Sequence, residues 1–145
     1  MKIFTIGFTK KTARQFFTEL KDAGVKRLVD VRLNNTSQLA GFTKKDDLKY
    51  FTEEICSIEY VHLPVLAPTA DILSAFKGHK GDWPLYEQRF LELIKSRHIE
   101  KEVSPDLLDG GCLLCSEEKL HHCHRRLVAE YLRDKWGGVE IEHLP

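Results

Sequence analysis

Strand-like and helix-like segments alternate along the whole chain, and no other feature of the sequence constrains the fold as strongly. This alternation is typical of a mostly parallel sheet with helices on both faces. The expected strands are 3–7, 25–31, 59–63, 111–115 and 139–144. A chain of 145 residues suits one hydrophobic core. We therefore predict a single three-layer α/β domain over residues 1–145, with about five strands.

Local signals place some of the helix boundaries. Thr12 and Gln15 have the spacing of a capping box, which predicts a helix that begins there and ends at Gly24. Thr43 is placed as the N-cap of a helix that runs to residue 55. The inner side of that helix is expected to carry Leu48, Tyr50, Phe51 and Ile55. A last helix is expected over 127–136.

Charge and hydropathy exclude several classes of protein. Lysine and arginine total 22 and so do aspartate and glutamate, so no global positive field attracts nucleic acid. Anion binding would then depend on a local patch. No apolar run approaches the roughly 20 residues that span a bilayer, so we expect no membrane partner. The first residues indicate a strand rather than a signal peptide. We therefore expect a cytoplasmic protein whose four cysteines are reduced thiols.

The predicted sheet implies where a ligand would bind. Ligands of open parallel sheets lie outside the carboxyl ends of the strands. In this chain those ends carry Gly7, Asp30, His62 and Cys115, each followed by a loop. The segment 121–126 begins the helix after the fourth strand, so we expect it at the same edge.

The segment Cys123-His124-Arg125-Arg126 is the strongest candidate for chemistry. Cys123 would be a nucleophile or redox-active thiol, with His124 as a proton carrier. Arg125 and Arg126 would bind an anion together with the helix N-terminus. The alternative is a structural segment that ties the last helix to acidic neighbours such as Glu117.

The strand before this segment carries two more cysteines. Cys112 and Cys115 form a CxxC, but residues three apart in a strand point to opposite faces, so we expect Cys112 in the core. Cys115 is a second candidate thiolate, and Glu117 is a candidate acid or base. A zinc site stays open as an alternative. It would use Cys115, Cys123 and one of His121, His122 or His124. Otherwise we expect no metal and no cofactor.

Asp30 and Arg32 alternate at the end of the second strand and should share one face. Arg32 would bind an anionic group, with Asp30 as its orienting partner or as a base. The alternative is an internal ion pair that fastens the strand end. For His62 we favour a hydrogen-bonded core residue over a catalytic one.

The order of these motifs resembles the family catalogued as domain of unknown function 488. The resemblance rests on segments 5–7, 29–32, 60–64, 113–117 and 123–125, and it covers nearly the whole chain. It implies a small bacterial or archaeal α/β protein without a settled activity. The chain departs from the family pattern at Phe8-Thr9, where His or Tyr followed by Ser is frequent. It also has Ala67 where a glycine is usual.

Two classes of function fit these observations. The first is a small enzyme that acts on an anionic substrate: a nucleotide, a nucleic acid or a sulfur-bearing metabolite. The second is a non-catalytic recognition module for a nucleotide, a nucleic acid or an acidic partner. The zinc-binding protein described above is a third hypothesis.

Overall fold

The computed structural model describes residues 1–36, 41–78, 82–115 and 123–145. Within these ranges five strands form one sheet in the order β3-β2-β4-β1-β5, and every neighbouring pair is parallel. The strands are β1 (Lys2–Gly7), β2 (Arg27–Asp30), β3 (Glu59–His62), β4 (Gly111–Cys115) and β5 (Glu140–His143). The predicted parallel sheet is confirmed.

Seven α-helices lie in the described ranges. They are α1 (Ala13–Asp22), α2 (Lys45–Tyr50), α3 (Ala70–Gly78), α4 (Trp83–Ser96), α5 (Ile99–Glu102), α6 (Pro105–Leu108) and α7 (His124–Trp136). Short 3-10 turns cover Gly41–Thr43 and Pro64–Leu66, and a π-helical turn covers Phe51–Ile55. None of these described helices has the length and apolar character needed to cross a membrane.

The sheet separates two hydrophobic clusters. Along β4, Cys112 and Leu114 point into the cluster under α1 and α2, whereas Leu113 and Cys115 point into the cluster under α3 to α7. All four residues are buried, as expected for a central strand covered on both faces. The predicted three-layer arrangement is therefore confirmed.

The first helix begins with the capping box that the sequence predicted. The Gln15 amide donates to Thr12 Oγ1 at 3.1 Å, and the Thr12 amide donates to Gln15 Oε1 at 2.9 Å. The helix ends at Asp22, and Gly24 follows with a φ of 75°. A glycine takes this left-handed conformation without the steric cost of a Cβ atom.

The second helix differs from its prediction. Lys44, not Thr43, is the N-cap, because Thr43 closes the preceding 3-10 turn. A π-helical turn follows at Phe51–Ile55 and has more residues per turn than an α-helix, so it rotates the later side chains. Ile55 is consequently 61% exposed, and Tyr50, which precedes the turn and lies two residues from the buried Leu48, is 59% exposed. Their predicted inner position is therefore wrong. The buried positions here are Leu48, Thr52 and Cys56.

The last helix begins at His124, three residues before its predicted start. Cys123 is its N-cap with extended backbone angles, and the Arg126 amide donates to the Cys123 carbonyl at 3.3 Å. His124 and Arg125 therefore lie in the first helical turn, and both are buried against the sheet.

Candidate functional site

The carboxyl ends of the strands lie along one edge of the sheet. The parallel register places Asp30 of β2 beside His62 of β3. On the other side of β4, Gly7 of β1 lies beside Cys115. These strand ends and the first turn of α7 are called the carboxyl rim below. The sequence predicted this juxtaposition correctly.

Two cysteines of the carboxyl rim are joined to each other. Cys115 is the last residue of β4, Cys123 caps α7, and their sulfurs form a disulfide. Their Cα atoms lie 7.4 Å apart, and each residue is 1% exposed. The expectation of reduced thiols is therefore wrong for this pair in the structure. The strand end and the helix start bring together two residues that are eight positions apart.

The other two cysteines are free and belong to the core. Cys112 lies on the opposite face of β4 from Cys115, which confirms its predicted core position. Burial raises the pKa of the Cys112 thiol, and burial likewise raises the pKa of Cys56. Neither thiol is therefore prepared to ionise near neutral pH.

The two adjacent arginines have different partners. Arg125 is 2% exposed, and its Nη1 donates to Cys115 Sγ at 3.2 Å. Arg126 donates from Nη1 to both carboxylate oxygens of Glu130, at 3.1 and 3.2 Å, one turn along its own helix. The structure thus brings Arg125 to the cysteine pair, whereas Arg126 forms an ion pair within α7.

His124 is buried and fixed in orientation. Its Nε2 lies 2.7 Å from the Val31 carbonyl, and its ring packs edge-on against Phe90. A carbonyl oxygen only accepts, so Nε2 carries the hydrogen and Nδ1 carries the lone pair. Burial lowers the pKa of His124 to about 4. The ring is therefore neutral at physiological pH and lacks the acidic proton of an imidazolium, whereas the Nδ1 lone pair can accept a proton.

Three residues of the carboxyl rim have the donor atoms of a metal site. Cys115, Cys123 and His124 offer two sulfurs and one ring nitrogen, which all lie within 4.8 Å of one another. All three residues are buried. Sulfur and imidazole nitrogen together suit zinc better than calcium or magnesium.

Asp30 and Arg32 form a buried ion pair. Asp30 Oδ1 accepts from Arg32 Nε at 2.8 Å and from the Arg32 amide at 3.1 Å. Oδ2 accepts from Arg32 Nη2 at 2.8 Å and from the Tyr60 hydroxyl at 2.6 Å. The guanidinium also lies over the Phe8 ring, 5.3 Å from its centroid. Asp30 therefore already accepts four hydrogen bonds. This arrangement suits a residue that positions Arg32.

Backbone groups near the end of β2 are bonded to three other elements. The Val31 amide donates to the Leu114 carbonyl of β4 at 3.1 Å, and the Val31 carbonyl accepts from His124 of α7. The next carbonyl, that of Arg32, accepts from Nε2 of His62 of β3 at 2.8 Å. His62 is thus a hydrogen-bonded histidine that helps to hold this backbone, in line with the structural interpretation of the sequence.

Two residues that belong to or contact the carboxyl rim were missed by the sequence reasoning. Tyr60 of β3 donates to Asp30, and the available signal was its place in a predicted strand, since a tyrosine hydroxyl buried there usually has a partner. His143 ends β5, and its Nδ1 lies 2.7 Å from Thr5 Oγ1. Burial and then the charge of Arg125 lower the pKa of His143. The predicted fifth parallel strand could have indicated that its end joins the others.

Several sequence candidates fall outside the described residues. They are Glu117, His121 and His122.

A cavity of about 380 Å³ lies away from the carboxyl rim, between α4 and α7, and is lined by residues such as Leu91, Leu127 and Tyr131. Glu130, the partner of Arg126, lines this cavity, whereas the cysteines, His124, Asp30 and the arginines of the carboxyl rim do not.

Comparison with known proteins identifies the family. A family model described as domain of unknown function DUF488 matches residues 12–132, which is most of the chain and includes Asp30, Arg32, both bonded cysteines and Arg125. No curated protein and no solved structure matches the chain. The sequence resemblance is thereby confirmed, and the chain belongs to the DUF488 family.

Proposed function

We propose that this protein is a thiol–disulfide oxidoreductase that acts on an anionic, sulfur-bearing substrate at the Cys115–Cys123 pair. The observation that carries the proposal is the 3.2 Å contact between Arg125 and Cys115 Sγ. A buried positive charge beside a sulfur favours the thiolate, which is the reactive form in exchange chemistry. Cys123 gains similar support as the N-cap of the 13-residue helix α7.

The proposed reaction starts from the reduced chain. The Cys123 thiolate attacks one sulfur of a substrate disulfide, and the first substrate thiolate leaves. The Cys115 thiolate then attacks Cys123 Sγ, which releases the second substrate thiolate and forms the protein disulfide. Two electrons pass to the substrate, whose thiolates take up the protons that the protein thiols lost. A cellular dithiol reductant restores the chain by the same exchange in reverse.

Arg32 supplies a second positive charge in this proposal. Asp30 holds its Nε and Nη2, so Nη1 is the nitrogen that remains for an anionic group of the substrate. Asp30 positions this guanidinium, because its own oxygens already accept four hydrogen bonds. Glu117 stays a predicted acid or base, and Arg126 stays a predicted anion contact.

The activity belongs in the cytoplasm under this proposal. A cysteine pair that must return to its dithiol form after each turnover needs a reducing compartment. The two remaining cysteines are free and buried, which suits the same compartment.

The test uses the reduced chain, freed of reductant, and two disulfide reagents that differ in charge. Dithiobis(nitrobenzoate) is dianionic and dithiodipyridine is uncharged. We expect a fast phase that releases two reagent thiolates per chain, after which peptide mass spectrometry identifies the Cys115–Cys123 bond. Cys115→Ser should release one and retain a mixed disulfide on Cys123. Cys56→Ser is the matched control and should behave like the unaltered chain.

A charge variant tests the role of the guanidinium. Arg125→Met should slow the dianionic reagent by at least ~10-fold more than the uncharged one, which corresponds to about 1.4 kcal/mol. Circular dichroism confirms that the variant is folded. The proposal fails if the cysteines react only in denaturant, or if the charge of the reagent makes no difference. Salt-sensitive binding of inorganic phosphate by the unaltered reduced chain, without any exchange activity, would favour a recognition module instead.

A further inference from the structure

We infer that the reduced chain binds one zinc ion through Cys115, Cys123 and His124. The inference rests on the three donor atoms within 4.8 Å of one another at a buried site. Two thiolates and one imidazole form the protein ligand set of one known class of catalytic zinc site. Within the described ranges this group has three members, one fewer than the four ligands of a tetrahedral zinc ion.

The orientation of His124 supports this inference independently of its distance from the sulfurs. Metal-binding histidines usually donate their second ring N–H to a carboxylate or a backbone carbonyl, which fixes the tautomer and the ring plane. His124 makes this bond to the Val31 carbonyl at 2.7 Å, so the lone pair lies on Nδ1. The edge-on contact with Phe90, at 5.3 Å between centroids, holds the ring from another side. The hydrogen bond to Val31 therefore orients the His124 ring in the way that outer-shell hydrogen bonds orient metal-binding histidines.

The backbone separation of the two cysteines is wide for a directly bonded pair and would admit an ion in the reduced chain. The Cα atoms of Cys115 and Cys123 lie 7.4 Å apart. Directly bonded cysteines usually have Cα atoms about 4.4–6.8 Å apart, whereas zinc adds two Zn–S bonds of about 2.3 Å between the side chains. The strand end and the helix start thus stand at a separation that suits a shared ion.

The charges of the three ligands balance the charge of zinc. Two thiolates neutralise the divalent ion, and a neutral imidazole adds no charge. Arg125 Nη1 donates to Cys115 Sγ at 3.2 Å and would keep this bond as an outer-shell contact to a coordinated thiolate. Oxygen-preferring cations such as magnesium lack suitable donors in this set.

The same thiols cannot bind zinc and form a disulfide at once. Zinc binding displaces the two thiol protons, whereas disulfide formation removes two electrons and needs the substrate disulfide as oxidant. Zinc would therefore withhold the pair from exchange, a regulatory role that rests on the proposed function. The metal site itself does not depend on that function.

The test is an anaerobic titration of the reduced, metal-free chain with cobalt, followed by displacement with zinc. We expect saturation at one equivalent, a thiolate-to-cobalt charge-transfer band and the visible bands of tetrahedral cobalt. His124→Gln keeps an amide donor for the Val31 carbonyl but lacks the ring nitrogen, and should weaken binding at least ~100-fold. Cys56→Ser, the matched control, should bind as the unaltered chain does. Circular dichroism verifies that each variant is folded.

Different results would overturn the two proposals separately. Absence of the charge-transfer band, or equal affinity in Cys123→Ser, would overturn the zinc site even if the dithiol exchanges with the reagents above. Stoichiometric zinc in a chain whose metal-free form does not exchange would overturn the oxidoreductase and leave the metal site standing. If both hold, zinc loading should slow the fast exchange phase to the rate of metal release.

Discussion

The buried histidine of the carboxyl rim makes the stability of this protein depend on pH. Burial lowers the pKa of His124 from 6.5 to about 4, assisted by the charge of Arg125. The unfolded chain therefore binds a proton on this ring at a higher pH than the folded chain does. The stability that the neutral His124 ring contributes is fully present above about pH 6.5 and is lost as the pH falls toward 4.

The size of the effect follows from the two pKa values. Each pKa unit corresponds to about 1.4 kcal/mol, so the fall from 6.5 to about 4 sets a limit of about 3 kcal/mol. At pH 4.5, near the end of this window, about 2–3 kcal/mol of the free energy of unfolding should be lost relative to pH 7.5. That is a large share of the stability of a small domain.

The assay is urea unfolding in EDTA between pH 7.5 and 4.5, with one cysteine redox state maintained throughout. His124→Gln offers an amide donor for the Val31 carbonyl and does not titrate, so its stability should fall by about 2–3 kcal/mol less over this range. His98→Asn is the matched control, because His98 is exposed and its left-handed backbone suits asparagine. Parallel stability curves for the unaltered chain and His124→Gln would refute the reasoning, since they would mean that the folded ring takes up its proton as easily as the unfolded one.

Three further substitutions test the architecture by chemical denaturation. Tyr60→Phe removes a donor 2.6 Å from a buried carboxylate and should cost about 1–3 kcal/mol. Tyr131→Phe, at a partly buried position where the hydroxyl donates to Glu100, should cost less, and equal losses would contradict the buried bond. Asp30→Asn leaves the buried Arg32 guanidinium without its counter-charge, so the free energy of unfolding should fall by about 3–5 kcal/mol. A fall of less than about 1 kcal/mol would show that the ion pair is solvated. Thr12→Ala removes the capping box and should cost about 1 kcal/mol. Thr18→Ala, at an exposed position within the same helix, is its control and should be neutral or slightly stabilising.

The sequence was most informative where structure depends on neighbouring residues. The capping box at Thr12 and Gln15 was correct, because a helix N-terminus is decided by residues three positions apart. The two-residue period of a strand placed Cys112 and Cys115, three positions apart in β4, on opposite faces for the same kind of reason. The π-helical turn after Tyr50 was missed, since its sequence reads as a continuous α-helix.

The candidate site was likewise predicted only in part. Alternating strands and helices were enough to predict that Asp30, Cys115 and the start of α7 share one edge, because the strands of such a fold run in one direction. The sequence did not indicate which side chains meet there. It left the bond between Cys115 and Cys123 unpredicted, and it left two interpretations of Asp30 open.

The amino-acid sequence by itself determined the fold class, the layers and the edge of the sheet where the chemistry-bearing residues gather. Only the tertiary structure decided that Arg125 and not Arg126 contacts a cysteine, and that His124 turns Nε2 to the Val31 carbonyl. That last bond joins residues 93 positions apart, and it depends on the strand order β3-β2-β4-β1-β5. Periodicity and capping are set within one or two turns of chain, whereas strand order is set by the packing of the whole sheet, so no local pattern could have revealed these contacts.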